Sequence, residues 1–240
     1  MSSVALSRSL GAPPHVVSAA EGYERWAATY DHGHNPLVAR EQRHILPMLP
    51  ELRNKNVLDV ACGTGRWLAQ LLPFRPHLGL GTDLSSAMLE VARRKIRIRG
   101  SVLQANCRNL PFAASCFHFA ICSFAVSHIP DTDSLAGELA RVMKPGSDLF
   151  ISDLHPDAYT RGWRTGFRDN NSAVNIEAIP VTPESLVRKF YSAGFECMNY
   201  VSLCLGEPEK AVFARAGKLW LFEQACRVPA VLVCQFKRQV

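Results

Sequence analysis

The chain has 240 residues, of which 48% are hydrophobic and 20% charged, and this composition is typical of a soluble globular protein with a substantial core. Its length suits one domain, and its formal net charge of +6 is too small to argue for a nucleic-acid partner. No apolar run reaches the ~18 residues that cross a membrane, so we predict no membrane span.

The eight cysteines form no Cys-x-x-Cys pair, and several lie in apolar runs such as "FAICSF" and "PAVLVCQF". They are typical of small buried side chains in a reducing compartment, which favours a cytoplasmic protein. Zinc would need ligands clustered at short spacing, and we therefore predict no metal site.

The N-terminal part of the chain divides into a tail and a helical cap. Residues 1–20 contain no acidic residue and no long apolar run, which predicts a disordered tail, with a targeting segment as the alternative. Residues 21–52 carry apolar side chains at helical spacing, interrupted by "GHNP". This pattern predicts two helices at the start of a single domain over residues 21–240.

Strands and helices then alternate along the chain. Strands are predicted at "KNVLDVA", "LGLGTDL", "SVLQAN", "CFHFAICSFA", "SDLFISDL", "ECMNYVSLCL" and "PAVLVCQFKR". Helices between them begin at capping residues: Ser85, Asp131 or Thr132, and Thr182 followed by Pro183. The alternation predicts an α/β fold with a doubly wound, mostly parallel seven-stranded sheet. Residues 155–182 are polar and irregular, which predicts an insertion after strand 5 that serves as a lid or substrate wall.

The first strand–helix turn, "VLDVACGTGRW", lies where an open parallel sheet binds its ligand. Gly63 and Gly65 allow close approach of a ligand, but Leu68 stands where a dinucleotide fingerprint has its third glycine. No Gly-Lys-Ser/Thr phosphate loop is present either. The turn therefore favours a ligand without a pyrophosphate.

Two carboxylates narrow the class of ligand further. Asp83 ends the second strand and can accept hydrogen bonds from both hydroxyls of a ribose, and Asp59 can face a cationic group. A ribose, a cationic part and no pyrophosphate are all features of S-adenosylmethionine.

Several segments together resemble the class I S-adenosylmethionine-dependent methyltransferases, whose domain is Rossmann-like. They are "VLDVACGTGRW", "GTDLSSAMLEVAR", "QANCRNLPF", "SHIPD" and "LARVMKPGSDLFISD". "YERWAATYD" resembles the N-terminal helix of the branch that contains the ubiquinone/menaquinone-biosynthesis methyltransferases. The match covers about residues 20–155.

This resemblance implies a set of cofactor-binding residues at strand ends and in the N-terminal helices. They are Asp59, Ala61, Cys62, Gly63, Gly65, Asp83, Leu84, Asn106, Cys107, Leu110, Ser123, Trp26 and Tyr30. Asn106 departs from the family, which usually has an acidic residue there, and we expect its amide oxygen to accept a bond from the adenine amino group. Simpler roles stay open: Asp59, Asp83 and Asn106 as backbone caps or turn residues, and Trp26 and Tyr30 as core. Arg40 could pair with the cofactor carboxylate, although an exposed charge is the simpler interpretation.

The resemblance implies transfer of a methyl group from S-adenosylmethionine to nitrogen, oxygen or carbon of a small molecule, leaving S-adenosylhomocysteine. His128 and His155 each follow a strand and are candidates for a general base. Side chains of the insertion suit an aromatic or acidic acceptor, or simple lid packing: Tyr159, Trp163, Phe167, Arg161, Arg164 and Arg168. The alternatives are an RNA or protein methyltransferase and a non-catalytic S-adenosylmethionine-binding module. We expect a monomer or a homodimer.

Overall fold

The computed structural model describes residues 15–95, 100–170 and 172–240. Within these ranges the strands are β1 (His15–Val17), β2 (Asn56–Val60), β3 (Leu78–Asp83), β4 (Gly100–Gln104), β5 (Phe117–Ser123), β6 (Met143–Leu154), β7 (Gly166–Asp169), β8 (Ser172–Ile176), β9 (Phe195–Cys204) and β10 (Pro229–Arg238). The α-helices are α1 (Ala19–Trp26), α2 (Pro36–Ile45), α3 (Arg66–Leu71), α4 (Ser86–Lys95), α5 (Thr132–Val142), α6 (Pro156–Thr160), α7 (Pro183–Ser192), α8 (Glu207–Arg215) and α9 (Phe222–Cys226). None of the helices in this described part combines the length and the apolar character needed to cross a bilayer.

The central sheet has seven strands in the order β4-β3-β2-β5-β6-β10-β9. Strands β4, β3, β2, β5 and β6 run parallel, and β10 is antiparallel to both of its neighbours. The predicted doubly wound, mostly parallel sheet is thus confirmed. The strand order reverses between β2 and β5, so the crevice at the carboxyl ends of these strands is where such a fold binds ligands.

Alternation along each strand divides the core between the two faces of the sheet. In β5, Phe119 and Ile121 pack into one buried cluster, whereas Ala120 and Cys122 pack into the other. Successive side chains of a strand point to opposite faces, so one buried strand supplies both layers. This arrangement explains why β5 carries an almost continuous apolar run.

A second, three-stranded sheet has the order β1-β8-β7 and joins the start of the described chain to the insertion. Strand β1 pairs in parallel with β8, and Val17 lies opposite Ile176. The prediction of a disordered tail over residues 1–20 is therefore wrong for residues 15–20, and residues 1–14 lie outside the described residues. The insertion 155–182 is not irregular, because it contains α6, β7 and β8.

The predicted pair of N-terminal helices is present and is fixed by caps. The Ser18 side chain accepts from the Glu21 N–H at the start of α1, and Asn35 caps α2 with Pro36 in its first turn. Glu24 on α1 accepts hydrogen bonds from the Ser86 hydroxyl (2.9 Å) and from the Ser85 hydroxyl. Helix α1 therefore covers the N-terminus of α4.

A fully buried carboxylate on α2 ties the N-terminal cap to the central sheet. Glu41 accepts hydrogen bonds from Arg66 Nη2 (2.6 Å), from Trp67 Nε1 (3.2 Å) and from Ser123 Oγ (2.6 Å). The Ser152 hydroxyl also donates to it. Glu41 thus links α2 with α3, β5 and β6, and its charge is compensated by the Arg66 guanidinium.

We predict that Glu41→Ala lowers the free energy of unfolding by about 3 kcal/mol, since it leaves the Arg66 guanidinium without its charged partner. Urea unfolding followed by circular dichroism measures the change as a lower midpoint. The control Glu90→Ala removes an exposed carboxylate of α4 and should change stability by less than about 0.5 kcal/mol. Equal midpoints for the Glu41 variant and the wild type would contradict the linking role of this residue.

Candidate functional site

A cavity that is partly open to solvent lies at the carboxyl ends of β2, β3 and β5. Its floor is the loop after β2, and its roof includes Ala19 and Tyr23 of α1 together with Tyr30. The cavity therefore occupies the crevice that the strand order predicts.

The backbone of the floor is shaped for close approach of a ligand. Gly63 has a φ of +53°, and a Cβ added to it would meet no heavy atom within 4 Å, so this glycine faces open space. Ala61 (φ +53°) and Phe124 (φ +51°) also adopt left-handed backbone conformations and line the cavity. Such conformations cost about 1 kcal/mol or more for residues with a Cβ and cluster at functional sites.

Asp83 joins the ends of β3 and β2 beneath the cavity. Its carboxylate accepts hydrogen bonds from the backbone N–H of Gly63 (2.7 Å) and of Ser85 (2.9 Å). Burial raises the pKa of Asp83, and the two backbone donors act in the opposite direction. The carboxylate is thereby held in one orientation at the cavity wall.

Asp59 is a second buried carboxylate of the site, at 2% exposure. Its Oδ2 accepts from the backbone N–H of Leu68 in α3 (2.9 Å), and that bond occupies one of its two oxygens. Burial raises the pKa of Asp59 to about 7, against the opposing effect of the Leu68 hydrogen bond and the Arg66 charge. The residue also lines the cavity, so it can respond to a cation there.

Most of the residues predicted from the sequence line this one cavity. They are Asp59, Ala61, Cys62, Gly63, Asp83, Leu84, Asn106, Cys107, Ser123, Tyr30 and His128. Leu84 is 57% exposed although it is apolar, which leaves a flat hydrophobic surface available to a ligand. The cavity therefore unites side chains from four strand ends and the N-terminal cap.

Three of the predicted cofactor-binding residues do not line the cavity. Gly65 caps the start of α3 and donates its N–H to the Cys62 carbonyl, so it shapes the turn. Leu110 is 3% exposed and belongs to the core. Trp26 is buried, as the core alternative predicts, and stacks on Phe167 of the insertion at 5.4 Å.

The prediction of His155 as a general base is corrected by its position. Its Nδ1 accepts from the Asp157 N–H at the start of α6, and its Nε2 lies 2.9 Å from Ser202 Oγ. The ring is buried outside the cavity, and burial lowers its pKa. His155 therefore serves as a helix cap.

Asn106 lines the cavity and has the turn role that was left open for it beside adenine recognition. Its Oδ1 accepts from the backbone N–H of Arg108 (3.0 Å) and is 3.4 Å from Arg108 Nε, so the amide oxygen stabilises a turn. Arg40 donates to the Cys204 carbonyl (2.9 Å) and does not line the cavity. The oxygen that was expected to meet an adenine amino group is therefore already bonded within the protein.

The aromatic residues of the insertion pack within the protein. Trp163 and Phe167 are buried, and the Arg164 guanidinium lies 3.8 Å from the Tyr159 ring centre. These three aromatic residues do not line the cavity. These side chains are accounted for by packing within the protein, and their presence says nothing about an aromatic acceptor.

Several site residues were missed in the sequence. Tyr23, Thr64 and Arg66 line the cavity, and Thr64 Oγ1 donates to Asp31 Oδ1 (2.9 Å) in the turn that follows α1. Lys95 of α4 pairs with the same Asp31 carboxylate. Arg66 directly follows the glycine turn, so its position in the sequence indicated a site residue. The Thr64–Asp31 contact depends on tertiary packing alone and could not be predicted from the sequence.

His128 has a defined environment at the edge of the cavity. Its Nδ1 lies 2.7 Å from the backbone carbonyl oxygen of Glu177, and its ring meets the Tyr23 ring edge-on at 5.4 Å. The neighbouring Ser127 donates its N–H (2.8 Å) and its hydroxyl (3.0 Å) to the buried Asp153 carboxylate. The turn that carries His128 is thus anchored from β6 and from the insertion.

Comparison with known proteins places this architecture in a family. A family profile described as a methyltransferase domain matches residues 57–146. Over 179 residues the chain is 36% identical to the ubiquinone/menaquinone biosynthesis C-methyltransferase UbiE of Haemophilus ducreyi, a match that covers 64% of this chain and 69% of that protein. It is also 32% identical over 190 residues to the biotin biosynthesis bifunctional protein BioHC of Cellvibrio japonicus, covering 76% of this chain but only 36% of the relative.

A solved structure supports the fold. The S-adenosylmethionine-dependent methyltransferase from Mesorhizobium loti superposes with a TM-score of 0.67 at 19% identity, over 83% of this chain and 98% of that one. The quinone-pathway relative is similar enough, over enough of its length, to establish common ancestry. The chain therefore belongs to the class I S-adenosylmethionine-dependent methyltransferases and resembles their UbiE-like branch.

Proposed function

We propose that this protein transfers a methyl group from S-adenosylmethionine to nitrogen, oxygen or carbon of a small molecule. The observation that supports the proposal is the arrangement of Gly63 and Asp83. The space at Gly63 is open, and the Asp83 carboxylate beside it is held in one orientation by the Gly63 N–H. A ribose with two free hydroxyls fits such a carboxylate, because each oxygen has a lone pair beyond the one that its backbone donor uses.

The described residues suit each part of the cofactor. Asp83 would hold the ribose, Leu84 would contact the adenine, and Asp59 would face the cationic amino-acid end. When bound, S-adenosylmethionine supplies a methyl carbon on a positively charged sulfur that becomes a neutral thioether on transfer. The chain itself has to orient the acceptor and exclude water, and such positioning contributes several kcal/mol.

The N-terminal cap covers the cavity, and this supports the proposal that the acceptor is a small molecule. Ala19, Tyr23 and Tyr30 form the roof, and Glu24 fixes α1 against α4. The named relatives belong to quinone and biotin biosynthesis, which also involve small molecules. We further propose that the insertion 155–182 forms the acceptor side of the site, because the Glu177 carbonyl contacts His128.

We predict that Asp83→Ala weakens binding of S-adenosylhomocysteine by about 1–3 kcal/mol, the cost of one or two lost hydrogen bonds to a charged acceptor. Isothermal titration calorimetry measures this change as a dissociation constant roughly 5- to 150-fold higher. Asp133→Ala, which removes an exposed carboxylate from α5, is the matched control and should leave the affinity unchanged. An unchanged affinity in the Asp83 variant would contradict the ribose assignment.

We predict that binding of S-adenosylhomocysteine releases a proton from Asp59 at about pH 6.5, because its pKa of about 7 leaves the free site largely protonated there. The ligand's ammonium group favours the carboxylate and lowers this pKa, so affinity should rise as the pH increases from about 6 to about 8. Calorimetry in two buffers with different ionisation enthalpies measures the released proton. Asp59→Asn should abolish the release, and an equal release in that variant would show that another group titrates.

A further inference from the structure

His128 has the position and the fixed tautomer of a general base. Given the proposed methyl transfer, we propose that His128 removes the proton of a phenol- or enol-type hydroxyl on the acceptor, so that the substrate class is a weakly acidic hydroxyl compound. The argument rests on which ring nitrogen is used by the protein, on what surrounds the ring, and on the other side chains of the cavity.

A backbone carbonyl fixes the proton on one nitrogen of the ring. The Glu177 carbonyl oxygen can only accept a hydrogen bond, so His128 Nδ1, at 2.7 Å, must be the donor. In the neutral imidazole the lone pair is then on Nε2. Since His128 lines the cavity, Nε2 is the nitrogen left to act on a ligand.

Three elements surround the ring. Tyr23 of α1 meets it edge-on, and Glu177 of the insertion contacts it through its backbone carbonyl. Asp153 of β6 is the acidic group that interacts with it electrostatically: burial raises the pKa of Asp153, and a positive His128 acts in the opposite direction.

The other titratable side chains of the cavity are poorly suited to the task. Burial raises the pKa of the Cys107 thiol to about 11 and also raises the pKa values of Tyr23 and Tyr30, so all three keep their protons. The Asp83 carboxylate is held by two backbone donors at the cofactor end. Asp59, whose pKa burial raises to about 7, is 2% exposed, is bonded to the Leu68 N–H and is assigned to the cationic end of the cofactor, which leaves His128 as the base positioned for the acceptor.

An oriented base is needed only by some acceptors. A neutral amine already offers a lone pair, whereas a phenol or enol must lose its proton before it becomes a good nucleophile. In the proposed step Nε2 takes the hydroxyl proton, and the acceptor's electron pair forms the bond to the methyl carbon. The carbon–sulfur bond breaks with its electrons left on sulfur, and the imidazolium returns its proton to solvent.

The insertion connects the base to the N-terminal cap. The Glu177 N–H donates to the Val17 carbonyl (2.8 Å), and the Ile179 N–H donates to the Ser127 carbonyl (2.7 Å). Residues 176–179 thus form a strap between β1 and the turn that holds His128. The same strap that closes this side of the site also sets the tautomer of the ring.

The tautomer is tested directly by ¹⁵N NMR of the protein bound to S-adenosylhomocysteine, with His128→Asn used to assign the signals. We expect a protonated Nδ1 and an unprotonated Nε2. A proton on Nε2 of the neutral ring would overturn the proposal. Failure of S-adenosylhomocysteine to bind would instead overturn the proposed function, so the two failures are distinguishable.

The substrate class is tested with a series of probe acceptors: phenol, 4-chlorophenol, 4-nitrophenol and aniline. In His128→Asn the amide can still donate to the Glu177 carbonyl, but no base remains. We expect kcat to fall by about 100-fold or more for phenol and progressively less as the phenol becomes more acidic, because an ionised acceptor needs no base. His77→Asn, which changes an exposed histidine away from the cavity, is the matched control.

Each other outcome of this series would count against the proposal. An equal loss of kcat for every phenol would show that His128 only positions the acceptor. Two results would overturn the assignment of a hydroxyl acceptor. One is methyl transfer to aniline alone, and the other is transfer to none of the phenols by a protein that binds S-adenosylhomocysteine. Product analysis of methylated phenols separates oxygen from ring-carbon transfer, since both start from the same phenolate.

Discussion

The hydrogen bond from the Gly63 N–H to the Asp83 carboxylate is the interaction on which the site depends. It joins the loop after β2 to the end of β3, beside the boundary between β2 and β5 where the strand order reverses. Because glycine adopts the φ of +53° at position 63 without strain, the loop presents its N–H at 2.7 Å from the carboxylate, and the space beside Gly63 stays open. Floor and wall of the cavity are thereby fixed together.

The rest of the molecule closes this crevice from above. Two buried or half-buried carboxylates attach the N-terminal cap: Glu41 bonds to α3, β5 and β6, and Asp31 bonds to Thr64 in the glycine turn. The small sheet β1-β8-β7 then ties the start of the described chain to the insertion. The floor of the cavity, the N-terminal cap and the strap are thus linked to one another, with His128 at the junction of cap and strap.

Local sequence patterns predicted the fold well. The predictions that failed were those that depend on contacts between distant segments of the chain. The strands and the Thr182–Pro183 helix start depend on short-range periodicity and capping, which one sequence displays. The pairing of β1 with β8 joins segments more than 150 residues apart and leaves no local signal. Trp26 and Tyr30 belong to one helical segment, but Tyr30 lines the cavity whereas Trp26 stacks on Phe167 of the insertion, a contact that no local pattern shows. His128 and His155 looked equivalent until the backbone around each ring was known.

The central claim is that the crevice at the carboxyl ends of β2, β3 and β5 holds S-adenosylmethionine by its ribose. A crystal structure of the protein with S-adenosylhomocysteine tests it most directly. The account predicts both ribose hydroxyls within hydrogen-bond distance of the Asp83 carboxylate and the adenine against Leu84. A ligand bound outside this crevice, or one whose ribose faces away from Asp83, would contradict it.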